Sequence, residues 1–292
     1  MAQVLAIDIG GTKLAAARVD REGRILQRAH APTAGDDADE LFATLAGLVR
    51  EVLEPAEPGA VLACGVGCGG PMEPGGVTVS PLNIPQWRAF PLAARLRELV
   101  GMPVAIDNDA KALALGEGWV GAARGERNYL AMVVSTGVGA GLVVDGHLLD
   151  GAHANAGHIG HVIVVPGGRR CSCGASGCLE AEASGTAIEA WTGKPPAQAP
   201  PGVRRRTGRL VGEAVGSVAN LLDLRLALVA GSVALGFGDD FFTAAQVALD
   251  RTSRIEFARG VRIRPAGLGA DGPLVGAAAV AWRHLGCEIG VV

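Results

Sequence analysis

The chain has 292 residues, 49% hydrophobic and 19% charged, with a net charge of −3. That balance offers nothing to attract nucleic acid or an anionic membrane surface. No apolar run reaches the roughly 18 residues of a membrane span, and Asp8 already interrupts the first hydrophobic stretch, where a leader peptide would need an unbroken run. The expectation is a cytoplasmic protein, long enough for two lobes. Its 44 glycines cluster beside apolar runs, a pattern of tight turns and phosphate loops rather than of a disordered linker.

In chain order, Val4–Ile9 and Leu14–Val19 read as strands flanking a glycine turn. The turn, Asp8–Ile9–Gly10–Gly11–Thr12–Lys13, places a carboxylate at a strand end and follows it with unobstructed amides and a hydroxyl. Those groups suit a phosphate, with Asp8 placed to hold Mg²⁺ or its water; an ordinary hairpin turn is the other reading. Asp39–Leu53 has apolar residues at helical spacing, and Val61–Gly67 reads as a buried strand. Trp87, in the turn Asn83–Trp87, is read as packing rather than as a stacking platform for a sugar. Pro91–Val100 reads as a helix and Met102–Ile106 as a strand. The triplet Asp107–Asn108–Asp109 then opens a helix over Asp109–Val120, and N-capping is its simplest role.

A second strand–glycine–strand unit follows, with Tyr129–Val134, the turn Ser135–Gly141, and Leu142–Val144. It repeats the first one lobe later, which points to two similar α/β lobes. Neither turn is a Walker loop or a dinucleotide fingerprint. Beyond it, Lys194–Arg206 reads as a loop rich in Pro, Gly and Arg. Helices are expected at Val211–Leu222, Asp239–Leu249 and Pro273–Leu285, with strands at Leu226–Val229 and Val261–Ile263. Alternating strands and helices make a mixed α/β fold.

His161, Cys171, Cys173 and Cys178 supply one imidazole and three thiols within eighteen residues. That is the ligand set of a closed tetrahedral structural Zn²⁺ site, with Gly174 and Gly177 easing the turn between the last two sulfurs. Cys64, Cys68 and Cys287 are scattered and read as incidental thiols.

These segments together resemble the ROK family of sugar kinases and repressors. The resemblance rests on LAIDIGGTK at 5–13, PLNIPQW at 81–87, IDNDA at 106–110, STGVGAG at 135–141, GHIGH at 157–161 and C-x-C-G-x-x-G-C-x-E at 171–180. It implies a two-lobed actin/hexokinase-like (ribonuclease H-like) α/β fold with a cleft between lobes and a structural zinc loop. A smaller N-terminal lobe would span 1–109, joined by a C-terminal helix in 273–292; the larger lobe would span 110–272, with the zinc loop at 157–180. The implied activity is ATP- and Mg²⁺-dependent phosphorylation of a hexose 6-hydroxyl by a homodimer.

By the same resemblance Asp109 is the general base, which overrides the capping role for that residue. Gly70, Asn83, Asn108, Asp109, His158, His161 and Glu180 are implied as sugar contacts. Asp8, Gly10, Gly11, Thr12, Lys13, Thr136, Gly137 and Gly231 are implied on the nucleotide side, and His161, Cys171, Cys173 and Cys178 as zinc ligands. Most sugar kinases of the family have Glu where this chain has His158; His there is similar to the bacterial N-acetylmannosamine kinases, whereas the 81–87 turn is similar to the glucokinases. Glucose is the expected acceptor, N-acetylmannosamine the alternative, and a catalytically weak sugar-binding protein a further one. A family repressor would carry a helix-turn-helix ahead of a first loop that here begins at residue 8, so an enzyme is expected.

Overall fold

A computed structural model describes residues 1–289. The N-terminal part contains β1 (Gln3–Ile9), β2 (Lys13–Asp20), β3 (Ile25–Pro32), α1 (Ala38–Leu53), β4 (Val61–Cys68), α2 (Leu92–Val100), β5 (Val104–Asn108) and α3 (Asp109–Trp119). Next come β6 (Tyr129–Val134), β7 (Val138–Val144), β8 (His147–Leu148), α4 (Leu179–Ala183), α5 (Gly185–Thr192) and α6 (Pro201–Leu222). The chain continues through β9 (Leu226–Ala230), α7 (Ser232–Phe237), α8 (Asp239–Thr252), β10 (Arg262–Pro265) and α9 (Gly272–His284). Among the described residues no helix is long and apolar enough to cross a membrane.

The chain divides into two compact units. The first takes Met1–Gly125, Leu149–Ala156 and the segment from Leu268 onward; the second takes Glu126–Leu148 and Gly157–Gly267. In the first, the sheet order is β3-β2-β1-β4-β5, antiparallel across β1–β3 and parallel across β1, β4 and β5. In the second, the order is β10-β9-β6-β7-β8, antiparallel across β6–β8 and parallel across β6, β9 and β10. The two sheets therefore share one strand order, the repetition expected from the two glycine turns.

Local chemistry accounts for the elements of the first unit. Asp37 caps α1, its carboxylate accepting from Asp39 N at 2.8 Å and Glu40 N at 2.9 Å, which satisfies two donors that have no intrahelical partner. The apolar stripe Leu41, Phe42, Leu45, Leu48, Val49 and Val52 is buried, with α1 packing on β2 and β3. Helix α9 lies on β1 and β4, and its approach depends on small residues. A Cβ on Gly65 would fall 2.0 Å from Ala277 O, and one on Gly116 of α3 would fall 3.0 Å from Gly276 Cα of α9.

That α3–α9 packing carries the first unit beyond the expected boundary at residue 109, through α3 to Gly125, and makes it the larger of the two. Of the expected 273–292 segment, α9 ends at His284 and residues 290–292 lie outside the described residues.

Three other differences have local causes. Strand β3 was not anticipated, because only one face of it is apolar and it pairs at the sheet edge. The expected loop Lys194–Arg206 stops at Pro200. Pro201 then occupies the first helical position of α6, where a proline's fixed φ and missing N–H cost nothing. The second glycine turn is also shorter than expected, since β7 resumes at Val138.

Candidate functional site

In the first unit, β1, β4 and β5 are adjacent and parallel, so their C-terminal ends share one sheet edge. In open α/β sheets that edge is where ligands bind. Asp8 lies at the end of β1, opposite Gly67 of β4. After it the chain turns, with Gly10 N donating to Lys13 O at 3.0 Å. Thr33 steadies the turn, its hydroxyl donating to Gly10 O at 2.6 Å and its N–H to Thr12 O at 3.1 Å. Gly11, Thr12 and Lys13 are exposed.

Asn83 abuts this turn, leaving no room for a side chain on Gly11. Gly70 joins the same group through its carbonyl, which accepts from Leu82 N at 3.3 Å. Arg88 holds the Asn83 segment closed by donating from Nη1 to the carbonyls of Pro81, Ile84 and Trp87 at 2.7–2.9 Å. Trp87 is buried and stacked on Phe90, with ring centroids 4.5 Å apart; it packs, as its sequence context indicated.

Asp107, Asn108 and Asp109 divide the work at the end of β5. Asn108 is the N-cap of α3, its side chain accepting from Ala110 N at 3.0 Å. Asp107 accepts from Asn108 N at 2.8 Å and from the buried Lys111 ammonium at 2.8 Å. Asp109 Oδ1 also accepts from Ala110 N, at 2.8 Å, and Gly67 packs beside its Cα. Because Asn108 already caps the helix, the Asp109 carboxylate is not required for that task. Burial, then the Asp109 charge, push Asp8 up to about 7 against the pull of Lys13. Burial likewise raises Asp107, although the Lys111 charge opposes it. Two carboxylates close enough to repel, beside a turn of free amides, form an electrostatic environment that a cation would relieve.

The second unit gathers the other candidates. Ser135–Thr136–Gly137 forms a turn closed by Ser135 N on Gly137 O at 3.0 Å. The Glu180 carboxylate accepts from Val138 N at 2.9 Å, and a Cβ on Gly137 would come 2.9 Å from Glu180 Oε2. Gly231 has φ 100°, and a Cβ there would lie 2.3 Å from Val134 O, so the position excludes a side chain. Beyond Gly231, the Ser232 hydroxyl lies 3.0 Å from that of Ser135. The Thr186 hydroxyl donates to Thr136 O at 3.0 Å. Ser232 and Thr186 were absent from the sequence reading, because a serine or threonine at a helix start looks like a cap.

The segment bearing His158 and His161 packs on β7, with Ala140 N donating to Gly157 O at 2.9 Å. His158 is exposed, its ring 5.9 Å from that of His161. The donor atoms of His161, Cys171, Cys173 and Cys178 all lie within 4.8 Å of one another. His161 Nδ1 is 3.7 Å from Cys171 Sγ, and Cys173 Sγ is 3.7 Å from Cys178 Sγ. Tetrahedral Zn–S bonds of about 2.3 Å place two sulfurs about 3.8 Å apart, so the donor set fits zinc in both type and spacing.

Two α/β units of one strand order, each opening its sheet with a glycine turn, define an actin/hexokinase-like fold. The ROK family model matches residues 4–284, and the chain belongs to the ROK family. It is 38% identical over 189 residues to a glucokinase of Thermotoga maritima, covering 64% of this chain and 58% of that relative. It is 43% identical over 187 residues to an N-acetylmannosamine kinase of Citrobacter koseri, covering 64% and 63%. The matched stretch is thus less than two thirds of either relative. In structure it is similar to a ROK family glucokinase from Streptomyces griseus in complex with glucose and AMPPNP. That likeness has a TM-score of 0.84 at 30% identity and covers 97% of this chain and 100% of the other.

Proposed function

We propose that this chain is a sugar kinase that transfers the γ-phosphoryl group of ATP to the 6-hydroxyl of a hexose, with glucose as the favoured acceptor. The observation that carries the reading is Asp109 at the end of β5. Asn108 caps the helix beside it, and its carboxylate, one oxygen of which accepts from Ala110 N, stands within repulsive range of Asp8. In this role Asp109 accepts the proton of the sugar hydroxyl as that oxygen bonds to phosphorus. Asn83, Asn108, Gly70, His158 and Glu180 contact the sugar. His161, whose Nδ1 faces the metal sulfurs, has only Nε2 left to offer.

The amides of Gly11 and Thr12 and of Thr136–Gly137, with Lys13, receive phosphate oxygens, and Gly10 and Gly231 keep the backbone open beside them. Mg²⁺, held at Asp8 directly or through water, supplies charge neutralisation when bound. Zn²⁺ at His161, Cys171, Cys173 and Cys178 is structural in this reading, with no open position for chemistry.

N-acetylmannosamine is the second reading, favoured by His158 and by the relatives that bear that name. An imidazole can donate or accept where a carboxylate only accepts. A coupled assay of Mg·ATP-dependent ADP release over glucose, mannose, N-acetylglucosamine and N-acetylmannosamine tests both. Release with none of the four sinks the kinase reading, and a preference for N-acetylmannosamine selects the second.

A further inference from the structure

Helix α4, which carries Glu180, has five residues. A helix this short has no stability of its own, so its orientation is imposed from outside. Cys178 at its N-terminal end belongs to the metal cluster. At its other end stands Glu182, which is only 1% exposed and neutralised by two arginines. Arg169, which precedes the first cysteine, donates its backbone N–H to Glu182 Oε1 at 2.7 Å and its guanidinium to Oε2. Arg206, from α6, also donates to Oε2 and to the Glu182 carbonyl, the latter at 3.0 Å. Both guanidinium groups lie against the Trp191 ring of α5, at 4.7 and 5.7 Å from its centroid. Gly168 is required beside them, since a Cβ there would fall 2.4 Å from Glu182 Oε1.

We propose that Glu182 is a positioning residue. The ion cluster Arg169–Glu182–Arg206 is a second staple, independent of the metal, that holds Glu180 against the Ser135–Gly137 turn. The cluster ties the entry of the cysteine loop, α4, α5 and α6 together through one carboxylate, whereas the metal ties only residues 161–178. Glu180 follows the metal ligand Cys178 by two residues and precedes Glu182 by two, so both staples bear on it. The ionic one also fixes the direction of α4 through Arg206, on an element the metal does not reach.

The inference rests on the sugar-kinase reading for its consequence in catalysis, and the test separates the two. The experiment compares wild-type protein, zinc-stripped wild type, C173S and E182Q. It measures zinc content, sugar and ATP KM, kcat, and hydrogen exchange at the amides of Leu179 and Ser184, which in the structure donate to Val162 O and Glu180 O.

E182Q is expected to keep its zinc and its ATP KM while sugar KM rises about tenfold, the scale for a misplaced contact group. Its 179–184 amides exchange faster than those of zinc-stripped wild type and of C173S, in both of which the ionic staple is intact. Unchanged exchange and sugar KM in E182Q overturn the proposal, as does exchange at the 179–184 amides on zinc removal equal to or faster than that in E182Q. If E182Q does not fold, R169M and R206M each remove one arm and are read in the same way. A wild type without sugar-dependent ADP release defeats the kinase reading instead, and the exchange measurement then decides on the staple alone.

Discussion

A Cβ on Gly11 would lie 2.6 Å from the Cβ of Asn83, so the first glycine turn and the Pro81–Trp87 segment fit together only while residue 11 has no side chain. Gly11→Ala pushes Asn83 away from the position it takes beside the strand ends. Sugar KM is expected to rise by about tenfold or more. The control is Gly47→Ala in α1, where a Cβ would meet nothing within 4 Å and where replacing a helical glycine should stabilise by about 0.5–1 kcal/mol. Steady-state kinetics and urea denaturation of both variants check this; equal kinetics in Gly11→Ala and wild type would show that the contact is irrelevant to the sugar.

Asp109→Asn keeps an acceptor for Ala110 N and leaves the Asn108 cap intact. Turnover is expected to fall about 10²–10⁴-fold, with the thermal midpoint nearly unchanged. Wild-type turnover in the Asp109→Asn variant would remove Asp109 from the role of base.

Lys111 is 1% exposed and lies 2.8 Å from Asp107 Oδ1 and 2.7 Å from Asp150 Oδ1. Lys111→Met leaves the half-buried Asp107 carboxylate without its counter-charge, a change that costs up to about 3 kcal/mol. Adding Asp107→Asn should recover part of that loss, since the unpaired charge is then gone. Urea denaturation of the two single variants and the double variant forms the cycle; strict additivity would mean that the pair is not coupled.

Acid sensitivity is expected at Asp20, which is buried. Burial alone would raise its pKa, but the Arg24 N–H and guanidinium and the Glu22 N–H outweigh it, so the carboxyl lies below its usual range. A depressed folded value contributes stability above the ordinary carboxylate pKa of about 4, and that stability is lost as pH falls through the folded value. Asp20→Asn should therefore destabilise at pH 7, by about 1–3 kcal/mol for the lost charged acceptor, and progressively less below pH 4. A difference between wild type and variant that stays constant from pH 7 to pH 3 would refute it.

Much of the site is local in sequence and was legible there. Asp8 through Lys13, Asp107 through Asp109 and the cysteine spacing each place their groups within one turn or strand end, where covalent geometry alone sets the neighbours. The two glycine turns likewise announced two similar α/β lobes, because a short apolar run broken by glycine is a property of adjacent residues. The start of α6 was missed because Pro200–Pro201 resembles a loop until the tertiary fold supplies a helix for the second proline to begin.

What the sequence determined by itself was therefore the chemistry available: a carboxylate at each of several strand ends, two glycine turns with open amides, and four metal donors. Tertiary structure alone decided which side chains hold that chemistry in place. The sequence alone singled out no role for Lys111 on Asp107 and Asp150, for Arg88 on the Asn83 segment, or for Arg169 and Arg206 on Glu182. They become clamps because folding removes water from around a carboxylate or carbonyl and brings a cation to it from a distant or unsuspected position. No residue pattern encodes that desolvation; it arises only when the packed elements enclose the pair.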